Sequence, residues 1–253
     1  MSAEWVGFFH RHVVPIQLQF RRGEQVELRV FTAFVLSVRD QWLLVTAAHC
    51  IAGVQENIAR GFSIERCWLM DCVGLHAKDL RPVPFDWSAA LPTALYDDPD
   101  NDIGLLVVHD HYRRLLVANG VEAITEQAWD VSFDDARGFL LVGIPSELAR
   151  PATPVTTLTA VGLPVRQLDE PPPALKKTSA KRWYGTVRMP DGLNDIDGMS
   201  GGPVLAWRIN EHGTMKYWLH AVQSAWDRTS RAIAACPTRA LGHYLASVIE
   251  ARD

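Results

Sequence analysis

The sequence predicts a mostly-β protein built in two halves and closed by one terminal helix. Many short apolar runs alternate with polar residues and are cut by glycine, proline and charged turns. Residues 110–135 carry charges without a sustained period and divide the chain. Only the tail keeps apolar residues at helical spacing (Ala240, Leu241, Tyr244, Leu245, Val248, Ile249), with Pro237-Thr238 as its start signal. Short strands plus a single helix give a mostly-β domain architecture.

Residues 1–9 are aromatic-rich and undecided. The first clear strand is Val13 to Phe20, where Val14, Ile16, Leu18 and Phe20 alternate with other residues. A turn at Arg21-Arg22-Gly23-Glu24 leads to strands over 26–31 and 32–38. Arg39-Asp40-Gln41 turns the chain into Trp42-Leu-Leu-Val45, which runs on through Thr46-Ala47-Ala48 to His49. This is an antiparallel meander that delivers a histidine at a strand end. Two more strands are expected over 62–73 and 75–83. Prolines 82, 84, 92 and 99 then mark an irregular region. An acidic loop, Asp97 to Asp102, enters the apolar run Ile103–Val108. The second half opens on Phe139–Val142 and continues with strands over 154–168, 181–189, 204–209 and 216–224. The loop 169–173 (Asp-Glu-Pro-Pro-Pro) is a rigid exposed connection, and no repeat of fixed period occurs.

A chain of 253 residues, 48% of them apolar, can bury a large core, and a two-barrel β protein fits that length. A net charge of −4 and the lack of a basic stripe interleaved with aromatics argue against a nucleic-acid binder. The basic cluster at Lys176-Lys177 and Lys181-Arg182 fits a solvated loop. No apolar run reaches the ~18 residues of a membrane helix, and residues 1–5 lack a basic segment followed by a long apolar one, so no signal peptide is expected. Cysteines 50, 67, 72 and 236 form no C-x-x-C pair. Cys67, Cys72 and His76 lack a visible fourth ligand, so no metal and no other cofactor is expected. Free thiols fit a reducing cytoplasm. His76, His109, His111, His212, His220 and His243 pair with no motif and are taken as structural or surface residues.

The chemistry concentrates in Asp197-Gly198-Met199-Ser200-Gly201-Gly202-Pro203, just before the apolar run 204–207. A serine hydroxyl attacks a carbonyl only with a base to take its proton and donors to hold the oxyanion. The glycines permit the tight or left-handed backbone such donors need. His49 and Asp102 are the other polar residues at the edges of apolar strands. With its rivals Asp98 and Asp100, Asp102 is the only aspartate of the acidic loop that directly abuts the strand.

Thr46-Ala-Ala-His-Cys50, Asp102-Ile-Gly-Leu-Leu106 and Gly198-Met-Ser-Gly-Gly-Pro203 resemble the three signature blocks of the trypsin-like (chymotrypsin-fold) serine peptidases, in that family's chain order. The resemblance spans roughly residues 12–250. It implies two antiparallel six-stranded β-barrels, over 1–120 and 121–253, with a C-terminal helix over 238–251 and the active site between the barrels. It implies Ser200 as nucleophile, His49 as general base and acid, Asp102 as the group orienting the imidazole, and the N–H groups of Gly198 and Ser200 as the oxyanion hole. Asn194 falls at the floor of the specificity pocket, with Asp191, Asp195 and Asp197 nearby. Gln223, Ser224 and Ala225 compete for the backbone-pairing position on its wall.

The chain departs from the family in two places. Secreted members pair the cysteine beside the histidine with one about 15 residues earlier, but Thr32-Ala33-Phe34 holds none, which leaves Cys50 an unpaired buried thiol. Met199 stands where many members carry the aspartate that receives a new N-terminus after zymogen cleavage. Trypsin-style activation is therefore not expected: the enzyme is either active as translated or controlled otherwise, by an activating protein partner, a different cleavage, or substrate ordering the 190–199 loop. The expected function is a cytoplasmic, bacterial-type serine endopeptidase acting on protein or peptide substrates. The rivals are a catalytically silent or latent binding module that adds a peptide as an extra strand and an esterase using the same three residues.

Overall fold

The computed structural model describes residues 3–70, 81–95, 102–129, 131, 135–149, 158–175, 181–238 and 245. In chain order these form α1 (Ala3–His10), β1 (Ile16–Arg22), β2 (Gln25–Phe31), β3 (Phe34–Val38), β4 (Gln41–Thr46), α2 (Ala48–Ala59), β5 (Ser63–Leu69), β6 (Val83–Pro84), α3 (Trp87–Ala90), β7 (Gly104–Val108), α4 (Asp110–Ala118) and α5 (Glu126–Trp129). The second half supplies β8 (Gly138–Gly143), β9 (Val161–Gln167), β10 (Trp183–Val187), β11 (Pro203–Ile209), β12 (Met215–Asp227) and β13 (Ala232–Pro237). The mostly-β architecture expected from the alternating pattern is present.

Among the described residues, the second half is a barrel hydrogen-bonded all the way round in the order β10-β13-β12-β11-β8-β9. The first half consists of two sheets, β2-β1-β5-β6 and β3-β4-β7. Their facing sides enclose one core, with Ile16, Leu18 and Phe20 of β1 against Val35, Leu44 and Leu106. Period-two alternation sends the other sides of β3 and β4 toward the barrel. There Phe34, Leu36, Leu43 and Val45 pack with Leu140, Val142, Leu205 and Leu219. β3 is buried along its whole length, as a strand between two cores must be. A β-strand buried on both faces reads as a continuous apolar run, which is how its sequence looks.

Several elements differ from the sequence reading. Beyond the strand carrying Thr46 the chain turns into α2, so His49 lies in a helix's first turn rather than at a strand end. Ile51, Val54 and Asn57, at spacing three, bury one face of that helix. The connector 110–135 contains α4 and α5; α4 buries only Leu116, so its pattern shows little period. The strand expected over 75–83 is the two-residue β6, with 71–80 outside the described residues. β13 lies outside the predicted strands, because Ala232-Ile-Ala-Ala-Cys236 has a single β-branched residue, Ile233, and no aromatic one; barrel pairing holds it in place. The terminal helix lies outside the described residues apart from Thr238 and Leu245, and so do Cys72, His76, Asp98, Asp100, Lys176, Lys177 and His243.

The N-terminal segment crosses over to the second half. Phe8 and Phe9 meet Tyr217 edge-on at centroid distances of 5.6 and 5.1 Å. His12 bridges the Glu122 carbonyl at 2.8 Å and the Tyr217 hydroxyl at 2.9 Å. Burial, chiefly, lowers its pKa to about 4, so at neutral pH it is an uncharged structural link. His220, packed against Phe139 and Trp183, is likewise lowered to about 4 by burial.

Candidate active site

The strand register brings two of the singled-out residues together. β4 and β7 pair antiparallel, ending with Thr46 opposite Gly104. His49 follows one end by three residues and Asp102 precedes the other by two, so they meet at the rim of the sheet. Asp102 Oδ2 accepts from His49 Nδ1 at 2.7 Å, and Oδ1 accepts from the His49 backbone N–H at 2.8 Å. This two-point contact fixes the ring and leaves Nε2 as the outward nitrogen. The Asp102 side chain is 16% exposed while that of His49 is 51% exposed, so the carboxylate lies beneath and the imidazole faces solvent.

The electrostatics follow from those contacts. The Asp102 hydrogen bond, then one to Cys50, raises the His49 pKa above its ordinary value against the opposing effect of burial. Burial alone would raise Asp102, but hydrogen bonds from His49 and Ser224 outweigh it and hold the carboxyl below the usual range.

Ser200 sits on the loop before β11, and the loop is fastened to both halves of the molecule. Thr32 donates from its N–H (2.9 Å) and its hydroxyl (2.8 Å) to the Gly198 carbonyl. Thr32 also accepts from Thr46 Oγ1 at its carbonyl, at 2.8 Å. One threonine thus ties the serine loop to the strand that leads to His49. Nothing in its pattern distinguished it from any strand threonine. Gly201, at φ +87°, lies so close to Thr46 Oγ1, the Thr32 carbonyl and the Ala47 nitrogen that a Cβ would collide with all three. Gly198, at φ +91°, would collide with Ser146 Oγ and the Ile144 carbonyl. These two glycines permit the turn and the close approach together.

The Cys50 thiol, on the residue after His49, contacts the Ser200 backbone carbonyl at 3.9 Å, which joins the start of α2 to the serine loop. Among the described residues, no hydrogen bond joins Ser200 Oγ to the outward nitrogen of His49. The backbone N–H groups of Gly198 and Ser200 likewise donate to no protein acceptor. Cys50 is half-buried rather than fully buried, and Cys50, Cys67 and Cys236 are free thiols. Burial, chiefly, pushes Cys67 up to about 12 and Cys236 up to about 11.

The remaining site residues separate into distinct roles. Gln223 is 1% exposed, and its backbone exchanges hydrogen bonds with Gly201 (2.8 Å) and Gly202 (2.9 Å). It holds the serine loop and is too deep to line a wall. Ser224 sits at a bulge and donates to Asp102 Oδ2 at 2.6 Å, a third bond to that carboxylate. Ala225 and Trp226 pair with β13, while the partner on the other side, β11, ends at Pro203 opposite Val222. Among the described residues, the 224–227 edge therefore has no strand beside it. Asn194 is exposed, its N–H on Glu147 Oε1 at 2.7 Å, and does not form a buried floor. Asp195 is the more enclosed carboxylate: Oδ1 accepts from Trp226 Nε1 (3.1 Å) and the Asp197 N–H (2.9 Å), and Oδ2 pairs with Arg228 Nη2 (3.1 Å). In the position before the serine, Met199 is fully buried with Leu193 and Ile196 among the inward residues of the barrel.

A largely enclosed carboxylate, an imidazole fixed by it, and a serine on a glycine loop tied to the start of α2 are the groups that acyl transfer to a hydroxyl requires. Among the described residues no cluster of metal-ligating side chains occurs, and no helix is long and apolar enough to cross a membrane. No protein-family model and no curated protein matches the sequence. Solved structures similar in shape include the active form of the Rv3671c protease from M. tuberculosis, at 16% identity and TM-score 0.49, covering 94% of this chain and 81% of that one. A thermostable serine protease, AL20, from an extremophilic microorganism is 12% identical with TM-score 0.47, covering 94% and 95% of the two chains. A catalytically inactive tobacco etch virus protease in complex with substrate is 9% identical with TM-score 0.43, covering 91% and 81%.

Proposed function

We propose that the chain is a serine endopeptidase working through Ser200, His49 and Asp102. The observation that carries the reading is the carboxylate of Asp102, bonded at once to the ring and backbone of His49 and to Ser224. In the proposed mechanism Ser200 Oγ attacks the scissile carbonyl as its proton passes to His49 Nε2. The oxyanion is received by the N–H groups of Gly198 and Ser200, each such donor contributing ~3 kcal/mol. The protonated imidazole, stabilised by Asp102, then donates to the leaving amine, and water repeats the sequence to release the acyl group.

A peptide substrate would add as a strand along the open 224–227 edge. Asp195, paired with Arg228, presents no uncompensated charge, which supports a preference for an uncharged side chain before the cut. Met199 in the core supports activity without trypsin-style zymogen cleavage. The three free thiols are in keeping with a cytoplasmic site of action. The division into a His/Asp half over 1–120 and a Ser half over 121–253 belongs to the same proposal.

One observation favours a second reading, a latent or silent member that binds peptides under a partner's control: among the described residues the serine hydroxyl makes no hydrogen bond to the imidazole. Catalytic hydrogen bonds often tighten only when substrate binds. Labelling by a fluorophosphonate separates the two, since Ser200-dependent labelling of the purified chain requires a competent nucleophile and a silent binder gives none.

A further inference from the structure

The loop 193–199 is held by two kinds of contact. Leu193, Ile196 and Met199, at spacing three, enter the barrel interior and are 6%, 1% and 0% exposed. Between them Asp195 turns outward and gathers three donors: the Trp226 indole, the Asp197 N–H and the Arg228 guanidinium. Trp226 and Arg228 stand on and just beyond the end of β12, whose open edge begins at Ser224. Arg228 Nε also reaches the Asn194 carbonyl at 3.4 Å.

We propose that Asp195 is a positioning residue that clasps the serine-bearing loop to the end of β12, keeping the loop organised with no new N-terminus to hold it. The clasp spans the two pieces of chain that must stay in register: the segment whose N–H groups face the oxyanion and the strand edge beside them. Asp197 N–H is one residue from Gly198, so releasing Asp195 frees the backbone that aims the first donor. The Arg228 pair adds little by itself, because its guanidinium is 64% exposed. The indole and backbone donors, at a carboxylate only 19% exposed, carry most of the restraint. The consequence at Ser200 rests on the proposed reading of that residue as nucleophile; the clasp itself does not.

The test compares hydrogen exchange and fluorophosphonate labelling in the full chain and in Asp195→Ala and Asp195→Asn. Asp195→Ala is expected to speed exchange over 194–199 by about tenfold or more, the scale of one or two hydrogen bonds, with β11 and β12 unchanged. Labelling of Ser200 slows by about the same factor. Asp195→Asn keeps an oxygen for the indole and the Asp197 N–H, and returns both readings to within roughly threefold of the native chain. Unchanged exchange in Asp195→Ala overturns the clasp. Acceleration spread over the whole barrel, or altered exchange with unaltered labelling, reduces Asp195 to a merely structural residue and overturns the positioning role. If the native chain itself takes no label, the nucleophile reading fails, while the exchange comparison still decides the clasp.

Discussion

Replacing Asp102 with asparagine tests the electrostatic core of the site. The native carboxylate accepts from His49 Nδ1 at 2.7 Å, the His49 N–H at 2.8 Å and Ser224 Oγ at 2.6 Å. An amide has one acceptor oxygen. If that oxygen stays opposite the His49 N–H, the new NH2 group faces two donors at the Oδ2 position. The imidazole relieves the conflict by moving its proton to Nε2, which then cannot take the serine proton. Loss of the correct tautomer costs about 10⁴-fold in the chemical step, or ~5 kcal/mol of barrier.

The pH dependence gives a second, independent sign. Asp102 raises the His49 pKa, so neutral imidazole, the form that acts as base, accumulates only above the ordinary imidazole range. Asparagine removes the leading cause of that rise. The ascending limb of the rate against pH therefore moves to lower pH even as its height collapses. The assay is the second-order rate of fluorophosphonate labelling across pH for native and Asp102→Asn chains, with folding checked by far- and near-ultraviolet circular dichroism. An Asp102→Asn chain that labels as fast as the native one, or a limb that stays put or moves up, refutes the reasoning.

Ser224→Ala removes a charge-assisted bond to the same carboxylate and should slow labelling roughly 10- to 100-fold, the range of ~1.5–3 kcal/mol, without abolishing it. Met199→Ala truncates a fully buried side chain and should lower the unfolding free energy in urea by about 2–5 kcal/mol. Arg228→Met leaves the Asp195 charge uncompensated and should raise cleavage after Lys or Arg relative to neutral residues several-fold, within the ~1 kcal/mol of an exposed pair, measured with matched fluorogenic peptides. Below pH 4, linkage should become visible: Asp102, lowered on folding, contributes stability present above the ordinary carboxylate pKa and lost as pH falls through its lowered value. His49 has the opposite sign, its contribution being present below the ordinary imidazole pKa and lost as pH rises through its raised value. An Asp102→Ala chain should lose both slopes in denaturation measured against pH.

In the first half, β1 was legible from period-two alternation, and β3 and β4, buried on both faces, from their nearly continuous apolar runs. The His49–Asp102 pair was legible as two polar residues at the ends of apolar runs, and the β4–β7 register explains why such ends meet. What stayed hidden depends on contacts that no local pattern encodes. The helix carrying His49 buries four residues, of which Ala48 is small and Asn57 is polar. β13 is rich in alanine and is a strand only because β10 and β12 pair with it. Ser224 could be placed near the site, yet its bond to Asp102 comes from a bulge that no spacing predicts. Thr32 and Asp195 act across the fold, on partners far away in sequence or set by the end of a strand. The exposed placement of Asn194 has the same cause: the apolar residues beside it, Leu193 and Ile196, claim the interior.

The most direct test of the account is fluorophosphonate labelling of the purified native chain beside Ser200→Ala and His49→Ala. The account predicts label on the native chain at Ser200, none on Ser200→Ala, and a strongly slowed reaction on His49→Ala. A folded native chain that takes no label, or one that labels equally well without Ser200, contradicts it.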